Sequence, residues 1–148
     1  MKVEVKVRSY DFDPLGVTHF LSYFRFISEA FEELMEAAVR RKAMPKPGVR
    51  LKAVEVFGVS LPITKAECRY LAPTRFGELL EVKPELEELQ PSHLTIKYKI
   101  SRKSNGQLVA EARTRHVAVD KSWRRAEIPG ELVEIVENLL EDRAEGET

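Results

Sequence analysis

Two aspartates, Asp11 and Asp13, lie in the segment Asp11-Phe12-Asp13-Pro14-Leu15-Gly16, immediately ahead of a helical pattern. Pro14 pushes the backbone of Asp13 toward extended geometry, and Gly16 permits a tight turn with close backbone approach. A helix starting near His19 or Phe20 brings unpaired backbone N–H groups and the positive end of its dipole to the same place. A fixed carboxylate beside such N–H groups is what acyl transfer needs: one attacks or activates water, the others hold the oxyanion. The same residues also suit a plain helix-entry turn in which Asp13 caps N–H groups. Spacing alone leaves both readings open. The choice of Asp is informative, because Glu outnumbers Asp twenty to four in this chain. The shorter side chain suits a carboxylate held in one geometry.

Other candidates are weaker. The three histidines are dispersed and Cys68 is the single cysteine, so no metal-ligand spacing and no intramolecular disulfide is available. His19 could orient Asp13 or touch a substrate carbonyl, or be an exposed loop histidine. His116 shares a strand face with Leu108, Ala110 and Ala112 and reads as a structural histidine; His93, at a strand start, reads as surface. Ser22 and Ser28 have no histidine partner at readable spacing, which leaves a serine nucleophile unsupported.

The elements that must position the turn follow from periodicity. Val3, Val5 and Val7 alternate with charged residues as a half-buried strand. From about His19 to Val39 the period becomes helical, with Phe20, Phe24, Ile27, Phe31, Leu34 and Ala38 in one stripe. Tyr23, Phe26, Ala30, Met35 and Ala37 widen it, as expected of a helix wrapped by a sheet. Residues 40–50 form a basic connector. Residues 54–71 read as extended, with a bulge or bend near Thr64. Two alternating runs follow, over residues 80–87 and 94–100. Asn105-Gly106 then signals a hairpin, with its return strand over residues 108–119. Pro129 can open a last helix, and residues 141–148 read as a frayed polar tail. The order predicts a single α+β domain over residues 1–148: a curved antiparallel sheet around one long central helix, with a short C-terminal helix.

Composition bounds the partners. Formal net charge is zero, with 24 basic and 24 acidic residues, which gives no general attraction to nucleic acid or anionic membrane. No apolar run approaches the roughly 20 residues of a membrane helix, and the alternating N-terminus is no signal peptide. A cytoplasmic protein is expected. Abundant Glu, Lys and Arg with few amides suggest a thermophilic source.

The stretch from Arg8 to Ala30 resembles the opening of the 4-hydroxybenzoyl-CoA thioesterase family, in which a D-x-D-x-x-G turn runs into a helix bearing aromatic residues. Similar family turns recur in order at Tyr70-Leu71-Ala72-Pro73-Thr74-Arg75-Phe76-Gly77-Glu78, at Asn105 to Ala110, at Thr114 to Asp120, and at Arg124-Arg125-Ala126-Glu127-Ile128-Pro129. The resemblance covers residues 2 to 130 or so. It implies a hotdog fold, no cofactor, an acyl-CoA substrate, and sites at the interface of a homodimer or homotetramer. The family's catalytic Asp falls on Asp13 and its oxyanion donor on the backbone amide near Phe20, with Gly16, Val17 and His19 beside the substrate. Arg124 and Arg125, with Lys121, could contact the phosphates of coenzyme A. Some hotdog thioesterases place their carboxylate on the central helix, but Glu29 belongs to a charged stripe with Arg25, Glu32 and Glu36. The chain departs from the family in reading Val17-Thr18-His19-Phe20 after the turn, and in Ala126 where Pro is usual. The alternative on the same fold is a non-catalytic acyl-CoA binding or sensing module, which would not need the Asp13 carboxylate.

Overall fold

The computed structural model describes residues 1–141; beyond Glu141, the expected tail lies outside them. Strand β1 (Val3–Lys6) leads through a 3-10 turn (Ser9–Asp11) into helix α1 (Ser22–Ala43). A five-residue helix α2 (Ala53–Phe57) precedes strands β2 (Ile63–Tyr70), β3 (Leu79–Leu89), β4 (His93–Arg102) and β5 (Leu108–Val117), and helix α3 (Gly130–Leu140) closes the fold. The strands form one antiparallel sheet in the order β1-β3-β4-β5-β2.

One face of the sheet is apolar and the other charged, as period-two alternation requires. Leu80 and Val82 on β3, Leu94, Ile96, Tyr98 and Ile100 on β4, and Ala110 and Ala112 on β5 are buried. The opposite face carries ion pairs such as Lys99–Glu85 and Arg113–Glu87. Helix α1 lies on the apolar face and buries Tyr23, Phe26, Ile27, Ala30, Leu34 and Ala38. The predicted stripe is thus displaced around the helix: Phe24 and Phe31 are only partly buried, and Phe20 is exposed. Helix α3 packs Leu132, Val136 and Leu139 into the same core. Among the described residues, no helix is long and apolar enough to cross a membrane.

Two expectations need correction. Helix α1 starts at Ser22 rather than near His19, and it runs to Ala43. The basic residues Arg40, Arg41 and Lys42 occupy its last turn, where they answer the negative end of the dipole, and left-handed Met44 stops it before Pro45. Residues 54–57, read as extended, are helical in α2. Val54 and Val56 alternate as in a strand, but Glu55 reaches back to the Lys52 N–H and left-handed Gly58 caps the turn. The hairpin expected at Asn105-Gly106 joins β4 to β5, with a loop over residues 103–107 and Gly106 at positive φ. The irregularity expected near Thr64 is present as a register shift between Ile63 and Lys65.

Asp11 fixes the entry to α1. It is 1 % exposed, and its carboxylate accepts hydrogen bonds from the Arg8 N–H at 2.7 Å and from Arg25 Nη2 at 2.6 Å and Nε at 3.3 Å. Burial alone would raise its pKa, but hydrogen bonds from Arg25, the Arg8 N–H and Ser22 together hold it below the usual carboxylate value. At the other end of the sheet, His116 is fully buried between the Thr114 hydroxyl and the Leu61 carbonyl, both at 2.8 Å, with its ring stacked on Phe31. It is the satisfied structural histidine expected. Burial lowers its pKa, so it stays neutral in the fold.

These two groups predict different pH windows for stability. Above a pH of about 6.5, His116 is neutral in both states; as pH falls, the unfolded chain takes up the proton first and stability declines. The Asp11 contribution is present above a pH of about 4 and is lost as pH falls through its lower folded value. Urea unfolding against pH should show both declines, the first absent in His116→Gln and the second in Asp11→Asn. Asp11→Asn should also cost about 3 kcal/mol at neutral pH, because Arg25 loses its anionic partner.

Candidate active site

Asp13 sits in a turn closed on both sides by hydrogen bonds. Its N–H donates to the Val17 carbonyl at 3.0 Å, and the Gly16 N–H donates to the Asp13 carbonyl at 3.1 Å. Gly16 takes φ +81°, the left-handed conformation that this reversal requires. Oδ1 of Asp13 accepts from the Leu15 N–H at 2.8 Å and the Val17 N–H at 3.4 Å. Oδ2 makes no hydrogen bond among the described residues. One oxygen therefore fixes the carboxylate and the other is left free on a half-buried side chain.

The turn is bound to the body of the protein at its far end. Thr18 donates its N–H to the Thr74 carbonyl at 2.9 Å and its hydroxyl to the same oxygen at 3.0 Å, and the two hydroxyls meet at 2.6 Å. The Tyr23 hydroxyl joins them at 3.0 Å from Thr74 Oγ1. Arg102 holds the 73–77 turn in place through Glu78 and, at 2.5 Å, the Pro73 carbonyl. The edge of Phe12 against Phe76 closes the outer side.

Phe20 lies in the turn ahead of α1, so its amide precedes the helix. The His19 N–H donates to the Asp11 carbonyl at 2.5 Å, and His19 Nδ1 accepts from the Leu21 N–H at 3.1 Å. That bond uses Nδ1 as an acceptor and leaves Nε2 without a partner among the described residues. The Phe20 N–H lies between these two bonds and donates to nothing among the described residues. The Tyr70 hydroxyl pins the neighbouring Phe20 carbonyl at 2.8 Å. Burial, reinforced by Cys68, pushes the Tyr70 hydroxyl up to about 12, so it remains a donor. Burial also pushes the Cys68 thiol up to about 11, which keeps it protonated and excludes it as a nucleophile at neutral pH.

Asp13, Gly16, Val17, His19 and Phe20 are thus gathered at one end of the sheet, beside Tyr70 at the end of β2. Arg124 and Arg125 are not with them. They lie in an exposed loop beyond β5, whose Val119 pairs with Ser60 ahead of β2. The ten residues of β5 separate the two ends by roughly 30 Å. Tyr70 and Thr74 were not singled out by sequence, although both lie in the Tyr70-to-Glu78 turn noted there. Tyr70 ends β2 and Thr74 lies in the turn that follows, and nothing in their local sequence marks them.

One turn beyond Phe20, a cavity of about 480 Å³ opens between α1 and β2. Phe24, Ile27, Phe31, Ile63, Ala66 and Tyr98 form its apolar walls. Among the described residues, no group of His, Cys, Asp and Glu is arranged to hold a metal ion.

Comparison with known proteins places this architecture. A 1,4-dihydroxy-2-naphthoyl-CoA hydrolase from Synechococcus sp. (strain CC9605) is 34% identical over 119 residues, covering 80% of this chain and 76% of that protein. The crystal structure of a 1,4-dihydroxy-2-naphthoyl-CoA thioesterase from Synechocystis superposes with a TM-score of 0.75 at 22% identity, covering 93% of this chain and 96% of that one. An Asp-to-Asn variant of 4-hydroxybenzoyl-CoA thioesterase, in complex with 4-hydroxybenzoyl-CoA, gives 0.75 at 17% identity, covering 92% and 97%. At these identities the structural likeness is one of fold, and the fold is the hotdog fold. The family model described as the thioesterase-like superfamily matches residues 7–136, and the chain belongs to that family.

Proposed function

We propose that this protein is an acyl-CoA thioesterase in which Asp13 provides the catalytic carboxylate and the Phe20 amide the oxyanion donor. The observation that carries the reading is the pairing of a carboxylate fixed through Oδ1 but open at Oδ2 with a neighbouring backbone N–H left without an acceptor. Both groups are open to solvent, and so to a ligand: a carboxylate held in one geometry and a backbone donor beside the start of α1. The catalysed change is thioester plus water to carboxylic acid plus thiol. By one route Oδ2 bonds to the carbonyl carbon and expels the thiolate, leaving a mixed anhydride that water cleaves. By the other, Oδ2 takes a proton from water as the water oxygen bonds to the same carbon. In both, negative charge grows on the carbonyl oxygen, where the Phe20 N–H and the start of α1 act. The relatives named as CoA hydrolases support the activity, and the Asp-to-Asn variant that holds its CoA ester supports a carboxylate role.

The cavity between α1 and β2 begins one turn past Phe20 and is the natural place for the acyl group. Its size and aromatic walls suit a bicyclic aryl group or a medium-length chain.

A second copy of the chain completes the site in this reading. β2 is an edge strand, exposed along most of its length, with Ile63 and Tyr70 among its exposed apolar residues. An uncovered edge of this length invites pairing. Two-fold pairing of β2 with its copy is necessarily antiparallel, and sets the Tyr70 end of one chain against the Ile63 end of the other. The Asp13 turn then faces the partner's basic loop, so Arg124 and Arg125 serve the site across the interface by binding phosphates.

Thiol release from a panel of aryl, short and long acyl-CoAs, with Asp13→Asn beside the wild type, tests the activity. Turnover should fall by roughly 10² to 10⁴ in the variant. Its stability should stay close to wild type, because the amide oxygen can still accept from Leu15 and Val17. No thiol above background from any ester would favour the binding-module reading instead.

A further inference from the structure

Trp123 has φ +61°, a left-handed conformation that a bulky side chain rarely adopts, and yet the residue is 72 % exposed. The loop around it is well ordered by hydrogen bonds. Asp120 Oδ1 accepts from the N–H groups of Ser122 at 2.8 Å and Arg124 at 3.1 Å. The Trp123 N–H donates to the Asp120 carbonyl at 3.0 Å, and the Asp120 N–H to the Arg124 carbonyl at 2.9 Å. Arg125 Nε reaches Ser92 Oγ at 3.3 Å. A turn of this shape is served more cheaply by Gly or Asn, which reach positive φ readily. Burial does not explain the tryptophan, because its ring is in solvent. What the strain secures is an indole held in solvent on an ordered loop that also carries Lys121, Arg124 and Arg125, all exposed.

A flat aromatic face flanked by guanidinium groups matches a purine nucleotide carrying phosphates. Resting on the thioesterase reading above, we propose that Trp123 stacks on the adenine of coenzyme A bound to the partner's Asp13 site, while Arg124, Arg125 and Lys121 bind its phosphates. This selects coenzyme A over a carrier protein, because a carrier-bound pantetheine presents no base to stack. Trp123 is thereby a specificity residue for the thiol half of the substrate, at the opposite end from the acyl cavity.

Trp123 is the single tryptophan of the chain, so its fluorescence reports the site directly. Coenzyme A and adenosine 3′,5′-bisphosphate should each quench it saturably, and pantetheine should not. Quenching by the bisphosphate but not by coenzyme A would mark a separate nucleotide site and overturn the assignment. So would calorimetric binding of coenzyme A with unchanged fluorescence. In kinetics, the ratio of kcat/KM for an acyl-CoA to that for the matching acyl-pantetheine should fall about tenfold in Trp123→Gly, which suits the left-handed backbone. Trp123→Phe should restore part of it. An unchanged ratio in the folded glycine variant would also overturn the proposal. If neither ester is hydrolysed by the wild type, the thioesterase reading fails, and the fluorescence titration still decides whether Trp123 binds the nucleotide.

Discussion

A carboxylate taken out of water must have its charge answered, and in this chain the answer to Asp11 comes from Arg25, one turn into the central helix. The pair ties the segment that leaves β1 to the helix that fills the sheet. Arg25 also reaches Glu29 at 2.9 Å and the Lys6 carbonyl at 3.2 Å, so a single guanidinium joins strand, turn and helix. Because Asp11 is held, the His19 N–H can close on its carbonyl, and the backbone between them is forced out into the loop that carries Asp13. The two aspartates therefore divide the work. Asp11 is buried, ionised and fully partnered; Asp13 is half-buried and keeps an oxygen free.

The second constraint comes from Thr74. Its carbonyl and hydroxyl hold Thr18 and Tyr23, while its own turn is held by Arg102. The buried hydroxyls of Thr18 and Thr74 satisfy one another, which fixes a distance that longer polar side chains would leave loose. The Asp13 turn is thus clamped at both ends by elements remote in sequence. Pro14 and Gly16 shape it from within. Such rigidity is what positions a carboxylate for chemistry without reorganisation.

Much of this was legible from the residues. The alternation of Leu94, Ile96, Tyr98 and Ile100, the hairpin at Asn105-Gly106 and the length of the apolar helix specify a sheet wrapped on one helix. The turn beginning at Asp11 was also visible, although spacing alone left it open between a helix-entry cap and a catalytic carboxylate. What stayed hidden depends on long-range contacts. Nothing local reveals that Arg25 would pair with Asp11 fourteen residues away, or that Tyr70 would pin Phe20. Residues 54–57 misread for a different reason: over so short a span, Val54 and Val56 fit a strand and a helical turn equally, and Gly58 decides. Arg124 and Arg125 could be suspected of binding phosphate, but only the strand order shows that they stand at the far end of the sheet from Asp13.

That separation makes the account depend on two chains meeting at one site. The most direct measurement is complementation between Asp13→Asn and a double variant carrying Arg124→Glu and Arg125→Glu, each assayed alone and after being unfolded and refolded together, at acyl-CoA concentrations below KM. If one copy supplies the carboxylate and another the basic loop, random assembly restores about a quarter of the wild-type sites, and thiol release rises well above the mean of the two parents. If the refolded mixture shows only that mean, the two sets of residues do not meet across an interface, and the shared site proposed here is wrong.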